Sequence, residues 1–173
     1  KIMSVATAKI TKVQPEVENS VSKIVRKHVL TSMGIGIIPI PFLDIAGITA
    51  INIRMISKIS RRYGDTFNKQ IATNVITSLV SSMGAKGAAN GVLGSLVKSI
   101  PFIGGVAGAV TYPAVAGATT YALGQVFIRH YEAGGTLLTL DSDSVKEYFN
   151  EQYDKGKTRV KEVKDAALGK TKK

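Results

Sequence analysis

A chain of 173 residues with 45% hydrophobic and 20% charged side chains is enough for one domain and too apolar for intrinsic disorder. It holds no cysteine and two histidines, which removes a disulfide framework, a thiolate nucleophile and a zinc site, so neither catalysis nor a metal or cofactor is expected. Twenty-three Lys and Arg against 12 Asp and Glu give a formal charge of +11, and the natural partners of such a chain are polyanions: nucleic acid or an anionic lipid surface.

Val and Ile fall in helical periods or long apolar blocks and not in alternating runs between turn signals, so the chain reads as all-α. Residues 1–14 form a polar N-terminal segment without the apolar core and cleavage site of a classical signal peptide. Pro15 opens a first helix through Val29, with Glu16 and Glu18 at its positive end, and this helix runs into the block VLTSMGIGIIPIPFLDIAGITAINI. Pro39 and Pro41 interrupt that block, because each removes a backbone donor and disfavours helix at the residue before it. A second helix is expected over 42–63, with Ile48, Met55, Ile56 and Ile59 on one face, Lys58, Arg61 and Arg62 opposite, and Gly64 as its stop.

Asp65 is expected to cap a third helix, whose apolar positions Phe67, Ile71, Ala72, Val75, Ile76, Leu79, Val80 and Met83 keep helical spacing until Gly84 and Gly87 end it. Residues 105–128 then carry no charge, a length sufficient for a bilayer at about 1.5 Å per residue, but they are rich in Gly, Ala and Thr and include Pro113. The segment is either a marginal span or a tightly packed buried helix. Gly104, Gly108, Ala114 and Ala118 would allow close helix packing within it. Gly134 and Gly135 terminate the unit. Over 141–173, Asp141, Ser142 and Asp143 offer caps, but Val145, Tyr148, Phe149, Val160 and Val163 are sparse among charges, so a charged surface helix with a basic tail is expected.

The charges are distributed unevenly. Residues 1–140 hold 14 basic and five acidic side chains, and the basic ones gather at the borders of apolar blocks: Lys23, Arg26 and Lys27, then Arg54, Lys58, Arg61 and Arg62, and finally Arg129. A nucleic-acid surface would interleave its Lys and Arg along one groove-reading face, with aromatics or amides to read bases, so no nucleic acid is expected. The arms 29–38 and 42–53 each reach about 15–18 Å, half a bilayer, which with basic borders at both ends describes a re-entrant hairpin whose ends share one side. IPFLDIAGIT at 40–49 echoes IPFIGGVAGAVT at 100–111, so Pro101 marks a second such turn.

GKT occurs at 156–158 and 169–171, but a phosphate-binding loop needs a glycine five residues before the one in GKT, and those positions are Glu151 and Lys164. Asp44 is the one acid in its apolar block; it is read as a buried acid or, preferably, as a cap on the helix that restarts after Pro41. His28 and His130 have no ligand partners and are read as interfacial or surface residues.

The runs GIIPIPFLDIAGITAINIRMISKISRRYG and LVKSIPFIGGVAGAVTYPAVAGATTYALGQVFIRHYEAGG resemble the YcjF-type domain of unknown function over about residues 24–135. That resemblance implies a bacterial, membrane-associated helical module, often attached to a GTPase domain, and supplies no catalytic residue.

The expectation is therefore an all-α protein of proline-turned helical hairpins over 15–140 with a charged C-terminal helix over 141–173. It would be non-enzymatic, insert its hairpins at the cytoplasmic face of a bacterial membrane, bind anionic headgroups through its basic borders, and self-assemble as a homo-oligomer that shapes or scaffolds membrane. The alternatives are a peripheral adaptor docking a partner such as a GTPase, and a channel or pore using Asp44.

Overall fold

A computed structural model describes residues 15–35, 43–89 and 106–167. These form five helices and, among the described residues, no strand: α1 (Pro15–Ile35), α2 (Leu43–Arg62), α3 (Lys69–Ala89), α4 (Val106–Glu132) and α5 (Ser142–Ala167). The all-α reading holds.

Glycine sets two of the helix ends. Gly64 at φ 74° and Gly134 at φ 82° occupy the left-handed region that side chains with a Cβ avoid. In each case two amides fold back onto the last turn, Gly64 N–H to Arg61 O and Asp65 N–H to Ser60 O, then Gly134 N–H to Tyr131 O and Gly135 N–H to His130 O. Asp141 caps α5 as its sequence suggests, accepting the amides of Asp143 and Ser144, each at 3.2 Å.

Two boundaries differ from expectation. The cap of α3 is Asn68, whose Oδ1 accepts the Ile71 amide at 3.1 Å, and not Asp65. Asp65 is three residues too early to reach those donors. Gly84 and Gly87 do not end α3, which continues through Ala89, because a helical glycine costs only about 1 kcal/mol against alanine. The first helix runs past Val29 to Ile35, into the block that Pro39 and Pro41 interrupt, as the sequence suggests.

Helix α4 is the centre of the bundle, packed against α1, α2 and α5, while α3 bridges α2 and α5. Met55, Ile56 and Ile59 from α2, Leu79 from α3, Leu123, Val126 and Phe127 from α4 and Phe149 from α5 are almost fully buried in one cluster. Each such side chain contributes about 1.5–3 kcal/mol of transfer free energy. Uncharged 105–128 is thus largely the packed inner helix of the two options its composition allowed. Among the described residues no helix is long and apolar enough to cross a membrane.

Close approach to α4 depends on its small residues. A Cβ built on Gly124 would lie 2.6 Å from Val25 of α1, and one on Gly117 would lie 2.8 Å from Met33 of α1 and 2.9 Å from Val160 of α5. Gly156 of α5 sits so close that its Cβ would be 3.0 Å from the backbone of Ala118. Ala118 is buried, so it packs inside the chain and is not available for contacts between copies. Ala114 is partly buried against the core.

Helix α5 is more deeply integrated than a charged surface helix. Phe149, Gln152, Gly156 and Val160 recur at spacings of three, four and four residues and are all buried. Two of the four, Gln152 and Gly156, are invisible to a count of apolar letters.

Candidate functional site

Helices α1 and α2 run antiparallel, so that Glu18 of α1 acts electrostatically on Tyr63 at the end of α2 while His28, further along α1, is near Arg54 and Lys58. α4 is antiparallel to α1, with Ser32 Oγ 2.8 Å from Thr120 Oγ1 in the core. The α1 C-terminus and α2 N-terminus therefore share one end of the bundle, with the start of α4 beside them.

Along the α1–α2 seam lies a groove of about 1230 Å³ lined by Lys27 and His28 of α1, Arg54, Lys58 and Arg61 of α2, and Lys69 at the start of α3. The α2 cations recur at i, i+4 and i+7, which places them on one helix face. Among the described residues no carboxylate lines the groove. The ion pairs among the described residues, Lys146–Asp143, Lys155–Glu151 and Lys157–Asp154, all lie within α5, so none of the groove cations is paired with a described carboxylate. A neighbouring concavity of about 460 Å³ on α1 is lined by Lys23, Arg26, Lys27 and the exposed Leu30.

His28 is buried at the floor of this region and not on the surface as its sequence context suggests. Its Nδ1–H donates to Ile24 O at 2.7 Å. Burial lowers its pKa, and the charges of Lys58, Lys27 and Arg54 lower it further against the opposing effect of that hydrogen bond, so the ring is neutral at physiological pH. The positive potential of the groove thus comes from Lys and Arg alone. Cations of this density can neutralise phosphate or carboxylate groups, and among the described residues no cluster of His, Asp and Glu could hold a metal ion.

The structure sorts the expected headgroup residues. It brings Lys27, Arg54, Lys58 and Arg61 into one groove, with Lys23 and Arg26 adjoining, and adds Lys69, whose place in the groove depends on the turn after α2 and has no sequence signal. Arg62 is exposed but lines neither concavity. Arg129 lies elsewhere, on the α4–α5 side, with its guanidinium 4.2 Å from the centre of the Tyr148 ring. His130 is half-buried, with Nε2 2.9 Å from Thr136 O. Asp44 falls in the first turn of α2, and its side chain lies outside the described residues. Pro39, Pro41, Pro101 and Gly104 lie outside the described residues, and Gly108 lies in the first turn of α4.

Comparison with known proteins agrees with the motif reading. Magnetosome membrane protein 22 of Magnetospirillum gryphiswaldense is 42% identical over 146 residues, covering 83% of this chain and 75% of the relative. No solved structure matches the chain. Residues 5–163 match the family described as "Domain of unknown function (DUF697)", the family of the YcjF-type domain, and the chain belongs to it.

Proposed function

We propose that this chain is a non-enzymatic membrane protein that uses the α1–α2 groove to bind anionic lipid headgroups. The observation that carries the reading is the groove itself: Lys27, Arg54, Lys58, Arg61 and Lys69 converge on one surface, with no carboxylate among its described lining residues. Near an anionic surface each such residue contributes about 1 kcal/mol. A relative at 42% identity that bears the name of a magnetosome membrane protein supports the same location.

In this reading the hairpins turned at Pro39 and Pro41 and at Pro101 enter one leaflet of a bacterial membrane from its cytoplasmic face. Arg54 is eleven residues from Leu43, about 16 Å along α2, which matches half the hydrocarbon thickness and puts Arg54 at headgroup depth with Lys58 and Arg61 beyond it. Wedges confined to one leaflet favour curvature, and copies would associate through small residues such as Gly104 and Gly108.

Flotation with liposomes tests the groove. Replacing Lys27, Arg54, Lys58 and Arg61 together by Gln should weaken binding to phosphatidylglycerol vesicles at least tenfold and flatten its salt dependence. Equal binding of parent and variant at low salt would rule the groove out. Carbonate extraction separates insertion from a peripheral adaptor: an inserted chain stays with the membrane until detergent is added.

A further inference from the structure

His28 is a titratable group that headgroup binding by Lys and Arg leaves unused. It lines the α1–α2 groove together with Lys27, Arg54 and Lys58, and it is 5% exposed. A carbonyl oxygen only accepts, so Nδ1, 2.7 Å from Ile24 O, keeps its proton whether the ring is neutral or charged. Nε2 is therefore the nitrogen that titrates.

Apart from that hydrogen bond, the surroundings oppose a proton at Nε2. Burial is the largest influence, and Lys58, Lys27 and Arg54 add like-charge repulsion. Arg61 and Lys69 line the same groove, and no carboxylate does so among the described residues. Helix α4 also packs on α1, and among its described residues it brings no charge that acts on the ring. The cations that repel a proton from His28 are thus the cations that would hold a phosphate.

An anion seated among Lys27, Arg54 and Lys58 offsets their repulsion, so Nε2 takes a proton more readily in an occupied groove than in an empty one. Linkage makes the effect reciprocal: a proton on His28 strengthens anion binding by the same factor. Well above the ordinary histidine range Nε2 is unprotonated with or without the anion, and the coupling vanishes. It grows as pH falls.

We infer that His28 couples headgroup binding to protonation: a phosphate group held by Lys27, Arg54 and Lys58 draws a proton from solvent onto His28 Nε2, and the groove holds an anionic membrane more tightly in acid. This rests on the groove being the headgroup site.

The test is flotation of the full chain with phosphatidylcholine vesicles containing phosphatidylglycerol, whose phosphodiester stays ionised over the range used. The parent should bind about threefold or more tightly at about pH 5 than at about pH 7.5, and His28→Gln should bind nearly alike at both. A histidine with only a structural role would lower binding at both pH values and keep their ratio. If His28→Gln does not fold, the parent decides by NMR, since the chain has two histidines. Dihexanoyl phosphatidylglycerol should move the His28 titration to higher pH, while the signals of His130 should not respond to the lipid. Glycerophosphoglycerol, the same headgroup without acyl chains, separates lipid from free phosphate ester: an equal response to it would keep the coupling and extend it to soluble esters. Binding by the parent that ignores pH, or a His28 titration that the lipid leaves in place or moves down, would overturn the inference. If the fourfold Gln variant loses binding while the parent ignores pH, the groove stands and the coupling fails; if that variant binds like the parent, the groove itself fails.

Discussion

Tyr131 of α4 donates its phenolic proton to Asp65 Oδ2 at 3.0 Å, and the same carboxylate oxygen accepts the Leu137 amide at 2.7 Å. One acid in the α2–α3 turn therefore ties two other parts of the chain, the end of α4 and the α4–α5 loop, while its other oxygen accepts the Thr66 amide at 2.8 Å. Hydrogen bonds to a charged acceptor contribute about 1.5–3 kcal/mol each, and Asp65→Ala removes three while leaving the Leu137 amide without its partner. The expected loss is about 2–4 kcal/mol in urea unfolding, with Asp65→Asn at the lower end. A loss under about 0.5 kcal/mol would show that the tie does not matter to stability.

The same corner controls the alkaline limit. Tyr63 and Tyr131 stack with ring centroids 5.2 Å apart, and burial pushes both phenols up to about 12, helped by the charge of Glu132 beside Tyr63 and of Asp65 beside Tyr131. An unfolded tyrosine titrates near 10. The folded state therefore favours the neutral phenols, and the stability this gives is fully present below about pH 10 and lost as pH rises through about 12. Urea midpoints measured from pH 8 to 12 should fall more steeply in the parent than in Tyr131→Phe or Tyr63→Phe. Parallel curves would mean that other groups set the limit.

Gly124 is the tightest helix contact on α4. Alanine would gain up to about 1 kcal/mol of helix propensity there, but its Cβ would meet the Val25 methyls at 2.6 and 2.9 Å, and a β-branched side chain in a helix has little rotamer freedom to move aside. Gly117→Ala meets Met33, which is unbranched and adaptable, as well as Val160. Gly124→Ala should therefore cost about 1–3 kcal/mol and Gly117→Ala less. Thermal unfolding of the two variants side by side checks the order, and the reverse order would contradict the packing described for α1 on α4.

Periodicity and glycine chemistry made much of this fold legible beforehand, because Gly64, Gly134 and Asp141 act through local backbone geometry that a sequence carries directly. Asp65 misled for the opposite reason. Its partners Tyr131 and Leu137 lie 66 and 72 residues away, and a capping residue and a tertiary tie look alike until the fold brings those groups together. The seam of α5 was hidden because Gly156 packs by having no side chain, and because charges fill the rest of that helix. Of the basic groove, Lys58 and Arg61 were read on one helix face and Arg54 as a border cation, whereas Lys69 and the buried His28 joined it only through the α2–α3 turn and the α1–α2 contact.

Arg129 separates structural from lipid-facing cations. Its guanidinium lies over Tyr148, a cation–π contact worth about 0.5–1 kcal/mol at an exposed site, and far in sequence and fold from the α1–α2 groove. Arg129→Gln should lower stability by about that amount and leave vesicle binding within about twofold of the parent. If it weakens binding as strongly as the groove substitutions, then the membrane-facing surface extends around the bundle to α5.

The proline turns test the hairpin proposal most directly. Ser22 of α1 and Thr66 after α2 are both exposed, and the antiparallel pairing of these helices puts them toward the same end of the bundle. Thr66 suits labelling better than Ser60, which is buried 2.8 Å from the Tyr131 hydroxyl. In a chain without cysteine, single cysteines at Ser22 and Thr66 should both react with a membrane-impermeant maleimide from one side of a sealed vesicle. Each proline in a helix interior costs about 3 kcal/mol, so Pro39→Ala with Pro41→Ala removes the main sequence barrier to a continuous helix over 29–53. Twenty-five residues at about 1.5 Å each reach about 37 Å, enough to span, and would carry the Arg54 to Arg62 cations toward the far side. Same-side labelling in the parent and opposite-side labelling in the double alanine variant is the expected result. Opposite-side labelling in the parent would make the first apolar unit an ordinary span, and it would be incompatible with the antiparallel α1–α2 pair as well as with the hairpin.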